Sequence, residues 1–204
     1  MPITCPVDLD TRLLRSEVSK VYSRLAADPG GDFHFHRGPE YAAGFLGYDP
    51  GELAQLPPEC TASFAGIANP HSIGPILPGE TVLDIGCGAG MDLLLAARQA
   101  GPQGRAIGVD MTEAMRDQAR RSAAAAGLAN VEVHVADATN LPIPDSTVDV
   151  VISNGVLNLV PEKEKAFTEI WRVLRPGGRL QLGDIVLDAE MGEDARRNID
   201  LWTG

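Results

Sequence analysis

Residues 82–90 read Val-Leu-Asp-Ile-Gly-Cys-Gly-Ala-Gly, an apolar run that enters glycines at 86, 88 and 90 and leaves into a helical stretch. Glycines at such a place allow tight turns and let a ligand approach the backbone. Amides at the start of the next helix then face that ligand. Phosphate-bearing dinucleotides use similar loops, so the surrounding side chains decide. Gly90 stands one position before the third glycine of the dinucleotide fingerprint, a place held here by Met91. Asp84, just ahead of the loop, opposes a pyrophosphate and suits an ammonium group. Asp110, 20 residues past Gly90, ends the next apolar run, where an acid accepts both hydroxyls of a ribose. Asp137, in Val135-Ala-Asp-Ala138, sits where an exocyclic amine can donate to it.

These acids must stand at the ends of strands. Thr81–Ile85, Ala106–Val109, Val131–Val135, Val148–Ser153 and Leu180–Leu187 read as strands. Ser16–Ala27, Met91–Ala100, Thr112–Ala126, Glu162–Leu174 and Glu190–Trp202 read as helices. Gly127 stops one helix and Arg175-Pro-Gly-Gly178 another. Alternation of this kind predicts an α/β fold, a doubly wound, Rossmann-like parallel sheet with helices on both faces. Residues 1–75 differ: after one helix they hold short segments rich in Gly and Pro, and they predict an N-terminal cap on a core spanning 76–204. On the helix after Asp110, Arg116, Arg120 and Arg121 read as a solvated face. Trp171, at helical spacing with Phe167 and Leu174, reads as core packing.

Of the 204 residues, 44% are hydrophobic and 22% charged, the balance of a globular protein, and no apolar run is long enough to span a bilayer. The net charge of −11 argues against nucleic acid or anionic membrane as a partner. With no basic, apolar leader visible, the expected compartment is the cytoplasm. Cys5, Cys60 and Cys87 form neither a disulfide framework nor a zinc motif, and no metal is expected. The composition leaves the oligomeric state open.

An ammonium, a ribose diol, an adenine amine and no phosphate describe S-adenosyl-L-methionine. Leu141-Pro-Ile-Pro-Asp-Ser-Thr-Val-Asp-Val-Val-Ile-Ser153 and Arg172-Val-Leu-Arg-Pro-Gly-Gly-Arg-Leu180 join the loop and its acids in a pattern that resembles the class I S-adenosylmethionine-dependent methyltransferases, over residues 78–188. Within them it is most similar to the arsenite methyltransferase-like branch. The shared stretches are Gly108-Val-Asp-Met-Thr112, Ser153-Asn154 with Asn158-Leu159, Asp184-Ile185 and, in the cap, Leu46-Gly-Tyr48, Glu52-Leu53 and Asn69-Pro70. The resemblance implies methyl transfer to a small-molecule acceptor, with the cofactor held by Asp84, Gly86, Cys87, Gly88, Gly90, Asp110, Met111, Asp137, Ala138 and Ser153. It also implies a seven-stranded sheet whose last strands pair antiparallel. Only five strands are legible, so the core is expected to be incomplete at its C-terminal side, with an exposed sheet edge beside the fifth strand.

The branch holds arsenic(III) through cysteine thiolates. Here the aligned positions are Ile67, two residues before Asn69-Pro70, and Gly155, after Ser153-Asn154. A cysteine pair in the cap is replaced by Phe33-His-Phe-His-Arg37. Candidate acceptor contacts are His34 and His36, which share one side of an extended segment, with Cys60, Asn154, Gly155 and Asn158. Three alternatives stand beside an arsenite-type acceptor: C-methylation of a quinone or sterol-like lipid, a non-catalytic S-adenosylmethionine-binding module, and a nicotinamide oxidoreductase. The glycine spacing and Asp84 argue against the last.

Overall fold

The computed structural model describes residues 10–186 together with Asp188 and Trp202. Four helices form the N-terminal part: α1 (Thr11–Ala27), α2 (Gly38–Leu46), α3 (Pro50–Leu53) and α4 (Pro58–Ala62). Then β1 (Thr81–Ile85), β2 (Arg105–Asp110), β3 (Val131–Val135), β4 (Val148–Asn154) and β5 (Leu174–Gly183) alternate with α5 (Met91–Ala100), α6 (Glu113–Ala125) and α7 (Lys163–Val173). Among the described residues no helix is long and apolar enough to cross a membrane.

All strand pairings are parallel, in the order β3-β2-β1-β4-β5. The chain walks outward from β1 to β3, then returns to lay β4 on the far side of β1. Adjacent strands β1 and β4 therefore send their following segments apart, and open sheets of this kind bind ligands in the crevice so formed. Val82, Leu83, Val148, Val150, Val151 and Ile152 are each 0% exposed, as parallel central strands covered on both faces require. Leu83 and Ile85 pack with Ala166, Ile170 and Val173 of α7, whereas Val82, Val150 and Ile152 pack with Ala96 and Ala100 of α5.

Several boundaries differ from the sequence expectation. α1 starts at Thr11 rather than Ser16, because Asp10 caps it by accepting from the Arg12 and Leu13 amides at 3.0 and 2.9 Å. The Gly- and Pro-rich part of the cap holds three short helices, each with Pro in its first turn. Arg175-Pro-Gly-Gly178 does not separate α7 from a later strand. It forms the irregular start of β5, with the register against β4 shifting between Val148 and Val150. Ile185 and Val186, expected inside that strand, lie exposed beyond its end. Among the described residues β5 is an edge strand with β4 as its neighbour. The helix expected over Glu190–Trp202 lies outside the described residues, save Trp202.

Trp171 is a correction. It is 82% exposed and Phe167 43%, because α7 buries Ala166, Ile170 and Val173, a stripe turned by one residue from the expected one.

Candidate active site

A cavity opens at the carboxyl ends of β1, β2, β3 and β4, roofed by α1 and by the segment that follows α4. Asp84, Gly86, Cys87, Gly88, Asp110, Met111, Asp137 and Ala138 all line it, as do Cys60, Asn154 and Gly155. Gly90 and Ser153 stand behind the wall. Gly90 (φ +101) opens α5 against Ala119 and Leu94, and the buried Ser153 hydroxyl donates to the Ile85 carbonyl at 3.2 Å.

The glycine loop folds back over β2. The Gly86 and Cys87 amides both donate to the Val109 carbonyl, at 2.8 and 3.0 Å. Gly86 has φ +73, and a Cβ there would lie 2.3 Å from Val156 Cγ2, so only glycine lets loop and Val156 meet. The Gly88 amide donates to Asp110 Oδ2 at 3.0 Å and the Thr112 amide to Oδ1 at 2.7 Å. Asp110 is thus fixed while each oxygen keeps acceptor capacity. Arg116, expected on a solvated face, instead turns inward and donates to the Asp110 and Met111 carbonyls at 3.1 and 2.9 Å.

Electrostatics make the cavity receptive to a cation. Asp84 is 3% exposed and its Oδ2 has no hydrogen-bond partner among the described residues. Burial, then the nearby carboxylates of Asp92 and Asp110, push the Asp84 carboxyl well above its ordinary range. Burial also raises Asp110, against the pull of the Thr112 and Gly88 amides. The Tyr22 phenol of α1 is pushed up to about 12 by burial and by Asp110. An orphaned buried carboxylate oxygen, crowded by two further acids, fits the ammonium and sulfonium groups of S-adenosylmethionine.

Asp137 is held more firmly than its position in the sequence suggests. Oδ1 accepts from the Thr139 amide and hydroxyl at 2.8 and 2.7 Å, and Oδ2 from Arg15 Nε of α1 at 2.6 Å. Burial raises this carboxyl, but those donors outweigh it and leave it below its ordinary range. Arg15 also reaches Glu162 Oε2 at 3.1 Å.

Asn154 joins cap to core. Its Oδ1 accepts from the Ile67 and Ala68 amides at 2.8 and 3.0 Å. Its Nδ2 donates to the Ala68 carbonyl at 2.8 Å and to Asp92 Oδ2 at 3.0 Å. The Tyr48 hydroxyl donates to Asp92 Oδ1 at 2.6 Å, with His71 Nε2 3.3 Å from the same oxygen. Sequence reasoning missed Arg15, Tyr48, His71 and Asp92. The one available signal was Asp92, an acid bracketing the apolar run at the start of α5.

The structure does not bring the remaining candidates to the cavity. His34 lies edge-on to Phe35 at 5.0 Å, and His36 stacks on Tyr41 at 5.2 Å. The backbone there bends, so the shared face of an extended segment is not formed. Asn158 braces the turn after β4. Its backbone amide donates to Asp184, and its side-chain amide lies between Asp184 Oδ1 (2.9 Å) and the Gly155 carbonyl (3.1 Å), acceptors that take its NH2 group. Cys60 and Cys87 are buried, and burial raises both thiols, that of Cys60 to about 12. Ile67 fills the space beside Gly155, where a Cβ would lie 3.4 Å from Ile67 Cγ1.

A family described as a methyltransferase domain matches residues 76–203. The arsenite methyltransferase of Halobacterium salinarum is 44% identical over 159 residues, 78% of this chain and 40% of that protein. The demethylmenaquinone methyltransferase of Symbiobacterium thermophilum is 40% identical over 103 residues, 50% of this chain and 41% of that protein. The chain thus spans about two fifths of the length of these curated relatives. The crystal structure of an arsenic(III) S-adenosylmethionine methyltransferase from Chlamydomonas reinhardtii superposes with a TM-score of 0.66 at 35% identity. It covers 71% of this chain and 51% of that one.

Proposed function

Because the chain belongs to the methyltransferase domain family, we propose that it binds S-adenosylmethionine in this cavity and directs its methyl group to a small-molecule acceptor. The observation that carries the reading is the buried, unpartnered Asp84 Oδ2 beside the glycine loop. When bound, S-adenosylmethionine supplies a methyl group on a positively charged sulfur that departs as a neutral thioether. Every other task falls to the chain. Asp84 takes the ammonium group, and Asp110, fixed by the Gly88 and Thr112 amides, takes the ribose hydroxyls. Asp137 offers the adenine amine a lone pair left over from Thr139 and Arg15. Gly86 and Gly88 admit the ligand to the backbone, and α1 covers it with Arg15, Val18 and Tyr22. Such a site accelerates transfer by alignment and exclusion of water. A soft nucleophile or a carbanion needs no general base, and no residue is given that role.

The two relatives suggest different acceptors. Alignment with the arsenite enzyme covers most of this chain, whereas the demethylmenaquinone enzyme favours a second reading, methylation of a quinol-type carbon. Its supporting observation is the aliphatic pair Ile67 and Gly155, a contact that holds no thiol. Calorimetric titration with S-adenosylmethionine, S-adenosylhomocysteine and NADH tests the cofactor. Saturable binding of the first two at one site is expected. NADH binding without S-adenosylhomocysteine binding would overturn it.

A further inference from the structure

One wall of the cavity carries none of the residues that hold the cofactor in the proposed function. After α4 the cap contributes Cys60, Ser63, Phe64, Ala65 and Gly66 to the lining, with Asn154, Gly155 and Val156 on the core side. Ser63 is 4% exposed, and its hydroxyl has no hydrogen-bond partner among the described residues. Burying a hydroxyl without a partner is unfavourable, so one left orphaned in a cavity wall marks a place where a ligand can supply the missing bond.

The surroundings are apolar. The Phe64 ring packs edge-on against Tyr48 at 5.4 Å. A Cβ at Gly66 would collide with Asn154, so cap and core are in close contact here. Ile67 occupies the space beside Gly155. Cys60 and Cys87 are buried among the apolar side chains of the core, and burial raises both thiols. That disfavours the thiolate that a soft metalloid takes. Asp84, Asp92 and Asp110 line the same cavity and would repel an anionic acceptor.

We propose that Ser63, with Phe64, Gly66 and Val156, forms an acceptor subsite for a neutral, apolar organic molecule that carries a hydroxyl or keto group. The proposal rests on the methyl-transfer reading of this cavity and deepens it. A serine hydroxyl both donates and accepts, so it can bond either oxygen function. The aromatic and aliphatic side chains around it bury the carbon frame.

The test uses naphthalene-1,4-diol, kept reduced, as the probe, titrated into the full chain saturated with S-adenosylhomocysteine. S-adenosylhomocysteine affinity is measured first and alone, so failure of the cofactor reading shows there and is distinct from failure of the subsite. Saturable diol binding is expected, weakened at least fivefold in Ser63→Ala, with S-adenosylhomocysteine affinity unchanged within twofold. Ser63→Cys, which keeps the volume, guards against a folding defect and is expected to fall between the two. A parallel titration with arsenite and glutathione is expected to show no saturable binding. Absence of diol binding, equal binding by Ser63→Ala, or a loss of S-adenosylhomocysteine affinity in that variant would each overturn the subsite. Saturable binding or methylation of arsenite would overturn the acceptor class.

Discussion

Arg15 on α1 donates to Asp137 at the end of β3 across 2.6 Å, although 122 positions separate them in the chain. A cap helix thereby holds one of the three acids assigned to the cofactor, and Glu162, which follows β4, shares the same guanidinium. Cofactor affinity should depend on this clasp. Arg15→Ala is expected to weaken S-adenosylhomocysteine binding about fivefold, the upper range for a partly exposed pair of about 1 kcal/mol. The deficit should shrink in high salt, where the wild-type pair is itself screened. Calorimetry at two ionic strengths checks both. An unchanged affinity would mean that α1 covers the site without orienting it.

Asp84 gives the cavity a pH dependence of definite sign. Burial and the neighbouring Asp92 and Asp110 raise its carboxyl in the folded state above its unfolded value. Its contribution to stability is therefore complete below the unfolded value and is lost as pH rises through the raised one. The ligand-free protein should lose thermal stability over that interval. The ligand's ammonium group prefers the carboxylate, so S-adenosylhomocysteine affinity should rise with pH over the same interval while that ammonium stays protonated. Asp84→Asn should flatten both trends and weaken binding by about 2 kcal/mol, roughly thirtyfold. Thermal unfolding and titration between pH 5 and 9 measure the slopes. A variant with the wild-type slope would move the titration to another group.

Gly86→Ala should be damaging for two separable reasons. The backbone there has φ +73, which costs a residue with a Cβ about 1–2 kcal/mol, and the Cβ would sit 2.3 Å from Val156 Cγ2. Val156→Ala opens the contact but leaves the backbone strain. The double variant should therefore recover part of the melting temperature lost by Gly86→Ala and little of its S-adenosylhomocysteine binding. Full recovery of binding would show that the loop tolerates a β-carbon.

The glycine loop, the strand-end acids and the five strands were legible because each is local: a short apolar run, a turn residue and an acid lie within a few positions. Side-chain placements set by distant contacts were not. Trp171 fits a helical core spacing in the sequence as well as Ile170 does, and only the sheet decides that Ile170 faces inward. His34 and His36 alternate correctly for a strand, but among the described residues no partner strand straightens them, and each settles on an aromatic neighbour. No contact could be read for Arg15, Tyr48 or His71. Their roles come from the docking of the cap on the core, and nothing in a residue's own neighbourhood records a partner 122 or 44 positions away.

Asn154 is bonded on both sides of that docking. Its amide oxygen accepts two cap amides, those of Ile67 and Ala68, and its nitrogen donates to Asp92. Asn154→Ala leaves the two amides and one carboxylate oxygen without their partner. At about 1–3 kcal/mol for each buried group left unpaired, a loss of several kcal/mol is expected, or a fall of about 10 °C for a chain of this size. Asn154→Asp keeps the acceptor for the two amides but sets a carboxylate against that of Asp92, now 3.0 Å from the amide nitrogen, so it should cost more as pH rises. Asn154→Ala should be insensitive to pH by comparison. Melting curves of both variants from pH 5 to 8 separate the two effects, and equal, pH-independent losses would show that Asn154 acts by packing alone.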